Sequence, residues 1–325
     1  MQNKPICYEK NKIFPEIYGG TPTFMGLPKI SLPEDLNDFD VVFNGIPWEG
    51  LCTWGPFAGC ELSPKTIRAA SVRYGGFLPE YNVDVFDTLM AGDYGDINCL
   101  NNSVEKTHQN IYERAKQLFD KNIFPVTFGG DHSITYPIMK ALSEKYHGKI
   151  GIVHIDAHFD NYDSFDGSDA SRCSPLFRAY HLDGIDPKNI VHIGIRGPRN
   201  HPREMANAVK YGTKIITSFE LRQRGLDTVI KEAIARAHEG TEAVYMTMCS
   251  DSLDISSNPA GPPDPCGLNT YEAARILHDV AASGVAGFDI VEIYPPIDHN
   301  NVSSHTACWM MLYVLAGLVE YRKNK

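Results

Sequence analysis

Ile150-Gly151-Ile152-Val153-His154-Ile155, followed at once by Asp156-Ala157-His158-Phe159-Asp160, decides how the rest of the chain is read. The first half is an apolar run rich in β-branched residues, the pattern of a strand buried on both faces, as in a parallel sheet. The second half puts two carboxylates and an imidazole at the carboxyl end of that strand. In extended geometry residues 156, 158 and 160 share one face. Carboxylates buried there without a partner are costly. A cation held between them is therefore favoured over the alternative, a capping and turn cluster.

Outward from this stretch the same pattern recurs. Apolar runs at 41–46, 123–128, 150–155, 190–195, 214–216, 243–248 and 287–293 are expected to be strands. Helix-period segments lie between them at 64–73, 104–121, 136–145, 203–211, 226–238, 271–282 and 307–321. The alternation predicts an α/β fold of three layers, α/β/α, with a mostly parallel sheet. No repeat, low-complexity tract or long linker divides the chain. A single domain over 1–325 is expected, with 1–23 as an N-terminal extension.

Ligands of such sheets bind beyond the carboxyl ends of the strands, and two further polar clusters occur there. Gly129-Gly130-Asp131-His132-Ser133 follows the run at 125–128. Its glycines permit a tight exit that leaves His132 at the rim, and a turn with a capping serine is the competing reading. Cys249-Ser250-Asp251-Ser252-Leu253-Asp254 follows 244–248, with 249 and 251 again alternating toward one face. A mixed imidazole and carboxylate set suits Mn²⁺, Ni²⁺ or Zn²⁺ and is too rich in nitrogen for a dedicated Ca²⁺ site.

Net charge is −10, which argues against nucleic acid and anionic membranes as partners. The eight cysteines form no CxxC pair and no disulfide framework. The first residues hold no apolar signal core, and the apolar run at 307–319 is too short to span a bilayer. A reduced, cytoplasmic protein is expected.

GGDHS, DAHFD and the 249–254 segment, in this order, resemble the three signatures of the ureohydrolase (arginase/agmatinase) family. Phe24-Met25-Gly26-Leu27-Pro28 resembles that family's N-terminal entry, Pro64–Ser71 its GP-x-x-IR helix, and Gly287–Ile293 its late strand carrying a glutamate. The resemblance implies an arginase-like fold and hydrolysis of a guanidino-type C–N bond in a small guanidino compound. It implies two divalent ions, about 3.5–4 Å apart, with nickel or manganese as the candidates. His132, Asp156 and Asp160 would hold one ion, and Asp156, His158 and Asp251 the other. Asp160 would protonate the leaving nitrogen. Glu292 would pair with the substrate guanidinium, the alternative being a buried glutamate paired with an arginine of the chain itself.

The sequence departs from the family pattern at specific positions. The family's third motif carries a bridging Asp where this chain has Cys249, its Ser falls on Thr247 and its Pro on Ile255. A thiolate can bind a divalent ion at about 2.3 Å, and Ni²⁺ or Zn²⁺ tolerates it better than Mn²⁺. One sulfur, however, cannot copy a carboxylate bridge. Arg172 takes the place of a histidine, and an arginine cannot shuttle protons near neutrality. The Gly-rich loop is altered at 258–267. Trp48 and Trp54 replace a basic loop, and Trp54 with Arg172 and Glu292 are the candidate substrate contacts. Three functions follow from these features. The first is a degenerate subunit of a hetero-oligomer, a trimer or hexamer, paired with a paralogous ureohydrolase-like catalytic subunit; heteromeric metformin hydrolase is similar in this respect. The second is an active dinuclear hydrolase with Cys249 as a ligand. The third is a non-enzymatic guanidine-binding protein.

Overall fold

The computed structural model describes residues 4–8, 23–50, 58–165 and 167–325. Trp54 lies outside the described residues. The strands are β1 (Val41–Gly45), β2 (Phe77–Leu78), β3 (Val83–Asp84), β4 (Ala91–Asp96), β5 (Phe124–Phe128), β6 (Ile150–Ile155), β7 (Ile190–Ile195), β8 (Lys214–Thr217), β9 (Ala243–Cys249) and β10 (Gly287–Val291). β2 and β3 make a small antiparallel hairpin. The other eight form one sheet in the order β4-β1-β5-β10-β9-β6-β7-β8, and every neighbouring pair is parallel.

The helices are α1 (Ser63–Ser71), α2 (Val104–Asp120), α3 (Thr135–Lys145), α4 (Pro175–Ala179), α5 (Pro202–Tyr211), α6 (Ser218–Arg224), α7 (Leu226–His238), α8 (Thr270–Ala282) and α9 (Val302–Asn324). Alternation along the strands sorts side chains to two cores. Val153, Ile155, Met246, Met248 and Phe288 join a core with α1, α7, α8 and α9. Ile150, Ile152, Tyr245 and Cys249 face the other way, toward α2, α3 and α4. The result is the α/β/α architecture read from the sequence.

Two differences from the expected elements have clear causes. The strand expected over 287–293 stops at Val291, because Glu292 takes a left-handed φ of 64° that ends the ladder. Edge strand β4 was not expected, since Ala91-Gly92-Asp93-Tyr94-Gly95-Asp96 carries no apolar run; α4, α6 and the β2–β3 hairpin are likewise additions. α9 begins at Val302, ahead of the expected 307. By length and composition it could cross a bilayer, yet its apolar window is 72% buried within the protein. Gly151 marks where α7 meets the sheet, for a Cβ there would stand 1.9 Å from the Ala237 carbonyl oxygen.

Candidate metal centre

The sheet order places β5, β10, β9 and β6 side by side, so their carboxyl ends deliver the polar clusters to one rim. After β5, Gly129 and Gly130 turn the chain with φ of 93° and 72°, and His132 follows, fully buried. After β6, residues 156–160 do not continue as a strand, which corrects the extended geometry expected for them. Asp156 Oδ1 accepts from the His158 amide at 2.7 Å, and Asp160 sits at φ 47°. A turn capped by its own first carboxylate therefore makes the three side chains converge.

Two groups of ligand atoms result. His132 Nδ1 lies 3.1 Å from Asp156 Oδ2 and 2.8 Å from Asp160 Oδ2. His158 Nδ1 lies 3.1 Å from Asp251 Oδ2 and 3.5 Å from Asp156 Oδ1. In each group one donor atom from every residue falls within 4.8 Å of the others, with His154 joining the first. Asp156 belongs to both. Cys249 is buried and lines the same cavity, but it belongs to neither group.

Hydrogen bonds behind the ligands set their tautomers. Thr247 donates its hydroxyl proton to Asp289 Oδ1 at 2.5 Å, so its oxygen is left to accept from His132 Nε2 at 3.0 Å. Thr135 and Tyr245 donate to the other oxygen of Asp289. With its proton on Nε2, His132 turns an Nδ1 lone pair toward Asp156 and Asp160, and that buried nitrogen makes no aligned hydrogen bond. This is the tautomer a metal requires. His154 Nε2 braces Asp156 Oδ2 at 3.1 Å, backed through His192 to Tyr180. The donor set thus fits a divalent cation in each group, with Asp156 the one carboxylate common to both among the described residues.

Burial dominates the titration of these groups. It pushes Asp160 up to about 7, with the Asp156 charge adding to it. Burial opposes charge on His132 and His158, but the neighbouring carboxylates more than offset it and raise the proton affinity of both rings above the usual range, a pull that a cation between the carboxylates would satisfy in the proton's place. Burial, then Asp156 and Asp251, hold the Cys249 thiol neutral. Arg196 ties the adjacent loops together: its guanidinium donates to the carbonyls of Asp251, Leu253, Asp264 and Pro265 at 2.7–3.1 Å. Asp264, held in this way, stands 3.4 Å from His158 Nε2.

At the mouth of the cavity, Glu292 is already engaged. Its Oε1 accepts from the His132 amide at 2.8 Å, and its Oε2 from Arg172 Nη1 at 2.9 Å and from the Tyr294 hydroxyl. Of the two partners weighed for Glu292, the structure pairs it with an arginine of its own chain.

The arginase family model matches residues 39–317, most of the chain. The chain belongs to the arginase family. It is 30% identical over 306 residues to guanidinobutyrase of Pseudomonas aeruginosa, covering 93% of this chain and 94% of that protein. Agmatinase of Chromobacterium violaceum is 30% identical over 300 residues, covering 90% and 88%. Among solved structures, proclavaminate amidino hydrolase of Streptomyces clavuligerus superposes with a TM-score of 0.85 at 28% identity, over 94% of this chain and 99% of that one.

Measured against the family signatures, His132, Asp156, His158, Asp160 and Asp251 of this arginase-family chain come together, with Cys249, Arg172 and Glu292 lining the same cavity. Trp48 is buried in the core on the side of the sheet that α3 covers. Sequence reasoning missed His154, Asp264, Glu49 and Tyr294. His154 stood in plain view inside the decisive run, its polar side chain the one exception to an apolar strand.

Proposed function

We propose that this chain is a site-degenerate guanidino hydrolase of the arginase family, acting as the structural partner of a complete paralogous catalytic subunit in a mixed trimer or hexamer. The observation that carries this reading is the Arg172–Glu292 pair, which occupies the carboxylate that a guanidino substrate would use. The relatives named guanidinobutyrase and agmatinase support a guanidino C–N bond as the ancestral target.

A divalent ion of the nickel or manganese kind, held by His132, Asp156 and Asp160 or by Asp156, His158 and Asp251, would supply a water that loses its proton near neutral pH. Asp160, shifted to about 7, would hold or give a proton beside that water. Cys249 offers a neutral thiol where a second bridging carboxylate would complete the site. Arg172 supplies no titrating group near neutrality. The ligand residues and Asp160 persist, but position 172 offers no titrating group near neutrality and the Glu292 carboxylate is already paired.

The test is metal content and hydrolysis of guanidino acids, agmatine and biguanides by the chain alone and after co-expression with a complete paralogue. Fewer than two ions per chain is the expected result for the isolated protein, with turnover appearing only in the mixed assembly. In that assembly His158→Ala in this chain should leave turnover nearly unchanged. A homo-oligomer that is fully active, and inactive as His158→Ala, overturns the reading in favour of a dinuclear enzyme with Cys249 as a ligand.

A further inference from the structure

Arg172 is held by more than Glu292. Its Nη1 also donates to the Tyr294 hydroxyl at 2.7 Å. Its Nη2 donates to Glu49 Oε1 at 3.0 Å and lies 3.6 Å from Asp131 Oδ2. Three carboxylates therefore face one buried guanidinium, leaving a surplus of negative charge around it. Its Nε, also buried, has no hydrogen-bond partner among the described residues.

Each of these carboxylates is fixed independently of Arg172. The Gly59 amide donates to Glu49 Oε2 at 2.6 Å. The Gly50 amide donates to Asp131 Oδ2 at 2.7 Å, and Asp131 Oδ1 accepts from the Ser133 amide at 3.0 Å. The His132 amide holds Glu292 Oε1. Backbone donors from three separate segments thus hold the three carboxylates of the cup in place. A planar ion with paired N–H groups matches such an arrangement of oxygens, whereas a compact ammonium does not.

We propose that Glu49, Asp131, Glu292 and Tyr294 form a preorganised guanidinium receptor that Arg172 fills from within the chain, and that shortening Arg172 opens it to free monoalkylguanidinium ions. The proposal rests on the guanidino reading of Glu292 given above and adds Glu49 and Asp131 as its recognition partners. The guest's head replaces the Arg172 guanidinium, and a short alkyl group occupies the path left by the arginine methylenes. Ethylguanidinium should accordingly bind more tightly than guanidinium. Tetramethylguanidinium, which lacks the paired N–H groups, should not bind.

The experiment uses the full chain in EDTA, with calorimetry and thermal unfolding in millimolar ethylguanidinium, guanidinium, tetramethylguanidinium or NaCl at matched ionic strength. Wild type should show no saturable binding. Arg172→Ala should unfold at a lower temperature and regain stability saturably with ethylguanidinium alone among the alkylated probes. Adding Glu49→Gln should weaken that binding by about tenfold or more, the loss of one charge-assisted hydrogen bond. If Arg172→Ala does not accumulate folded, Arg172→Met read with guanidinium itself carries the same test, since the thioether keeps part of the stem's packing and brings no donor to Glu292 or Glu49. Equal responses of wild type and variant, or a variant response that NaCl reproduces, overturn the receptor. Hydrolysis by the chain alone would refute the structural-partner reading, and this metal-free binding assay does not depend on that outcome.

Discussion

Replacing Arg196 with methionine should loosen both loops that flank His158. The arginine is 5% exposed and donates to four backbone carbonyls at 3.1 Å or less, those of Asp251, Leu253, Asp264 and Pro265. Two further contacts, to Gly194 and Ser252, are longer at 3.3 Å. Methionine keeps most of the stem's packing and removes all of the donors. Nη2 serves three of these carbonyls with its two N–H groups and Nε serves the fourth, so three donors at about 1 kcal/mol each give a loss of about 3 kcal/mol. At roughly 2 °C per kcal/mol for a chain of this size, the midpoint should fall by roughly 6 °C. Thermal unfolding followed by circular dichroism measures this, and hydrogen exchange should show protection lost first in residues 250–267. A cost below about 1 kcal/mol with unchanged exchange would mean that water satisfies those carbonyls, and the account of Arg196 as the tie between the loops would be wrong.

Cys249→Asp should raise the divalent metal retained per chain, and Arg172→His should have to be added before any hydrolysis appears, because only that change frees Glu292; elemental analysis showing no gain in the double variant refutes this. Thr247→Val should weaken metal binding by about 10–100-fold, since it removes the acceptor that fixes the His132 tautomer, and a titration showing unchanged affinity counts against that role. His108 is buried, and burial followed by the Arg178 charge depresses it to about 4, while the unfolded ring takes its proton near 6.5. Its contribution is therefore complete above pH 6.5 and is lost as pH falls toward 4, up to about 3 kcal/mol. Denaturant titrations of His108→Gln should accordingly fall less steeply across that window than wild type, and parallel curves would exclude the residue as a source of acid sensitivity.

What could be read from the sequence follows the range of the interactions involved. The DAHFD cluster announced itself because its ligands lie within five positions of one another behind a strand whose apolar pattern is unmistakable. The GGDH turn was legible for the same reason. β4 was not, because Asp93 and Asp96 in that strand serve the buried side chain of Arg68, so polar residues stand where a strand pattern calls for apolar ones. Arg172 drew notice by its position in a motif, and a pairing of Glu292 with some arginine of the chain was one of two readings, but Glu49 and Glu292 lie 123 and 120 positions away, and nothing local named Arg172 as the arginine or marked Glu49 at all. Asp264 hid in a proline-rich loop whose path is set by carbonyls bound to Arg196, and no side-chain pattern encodes such contacts.

The insertion of β9 and β10 between β5 and β6 has a consequence for the chain as it is made. β5, α3 and β6 are consecutive and form a ready right-handed crossover, so the two strands are free to zip together in the nascent chain. In the finished sheet they never touch: Val126 pairs with Phe288, and Val153 pairs with Met246. β6 lacks its native neighbour until residues 243–249 emerge and β5 until residues 287–291 emerge, so each strand keeps an edge without its final partner during that time. A chain arrested before residue 243 therefore carries His132 and Asp156 without the strands that stand between them in the sheet, and exposes two apolar strand edges open to aggregation. The part of the rim that carries Asp251 and Glu292 follows only after the first ligands have been made.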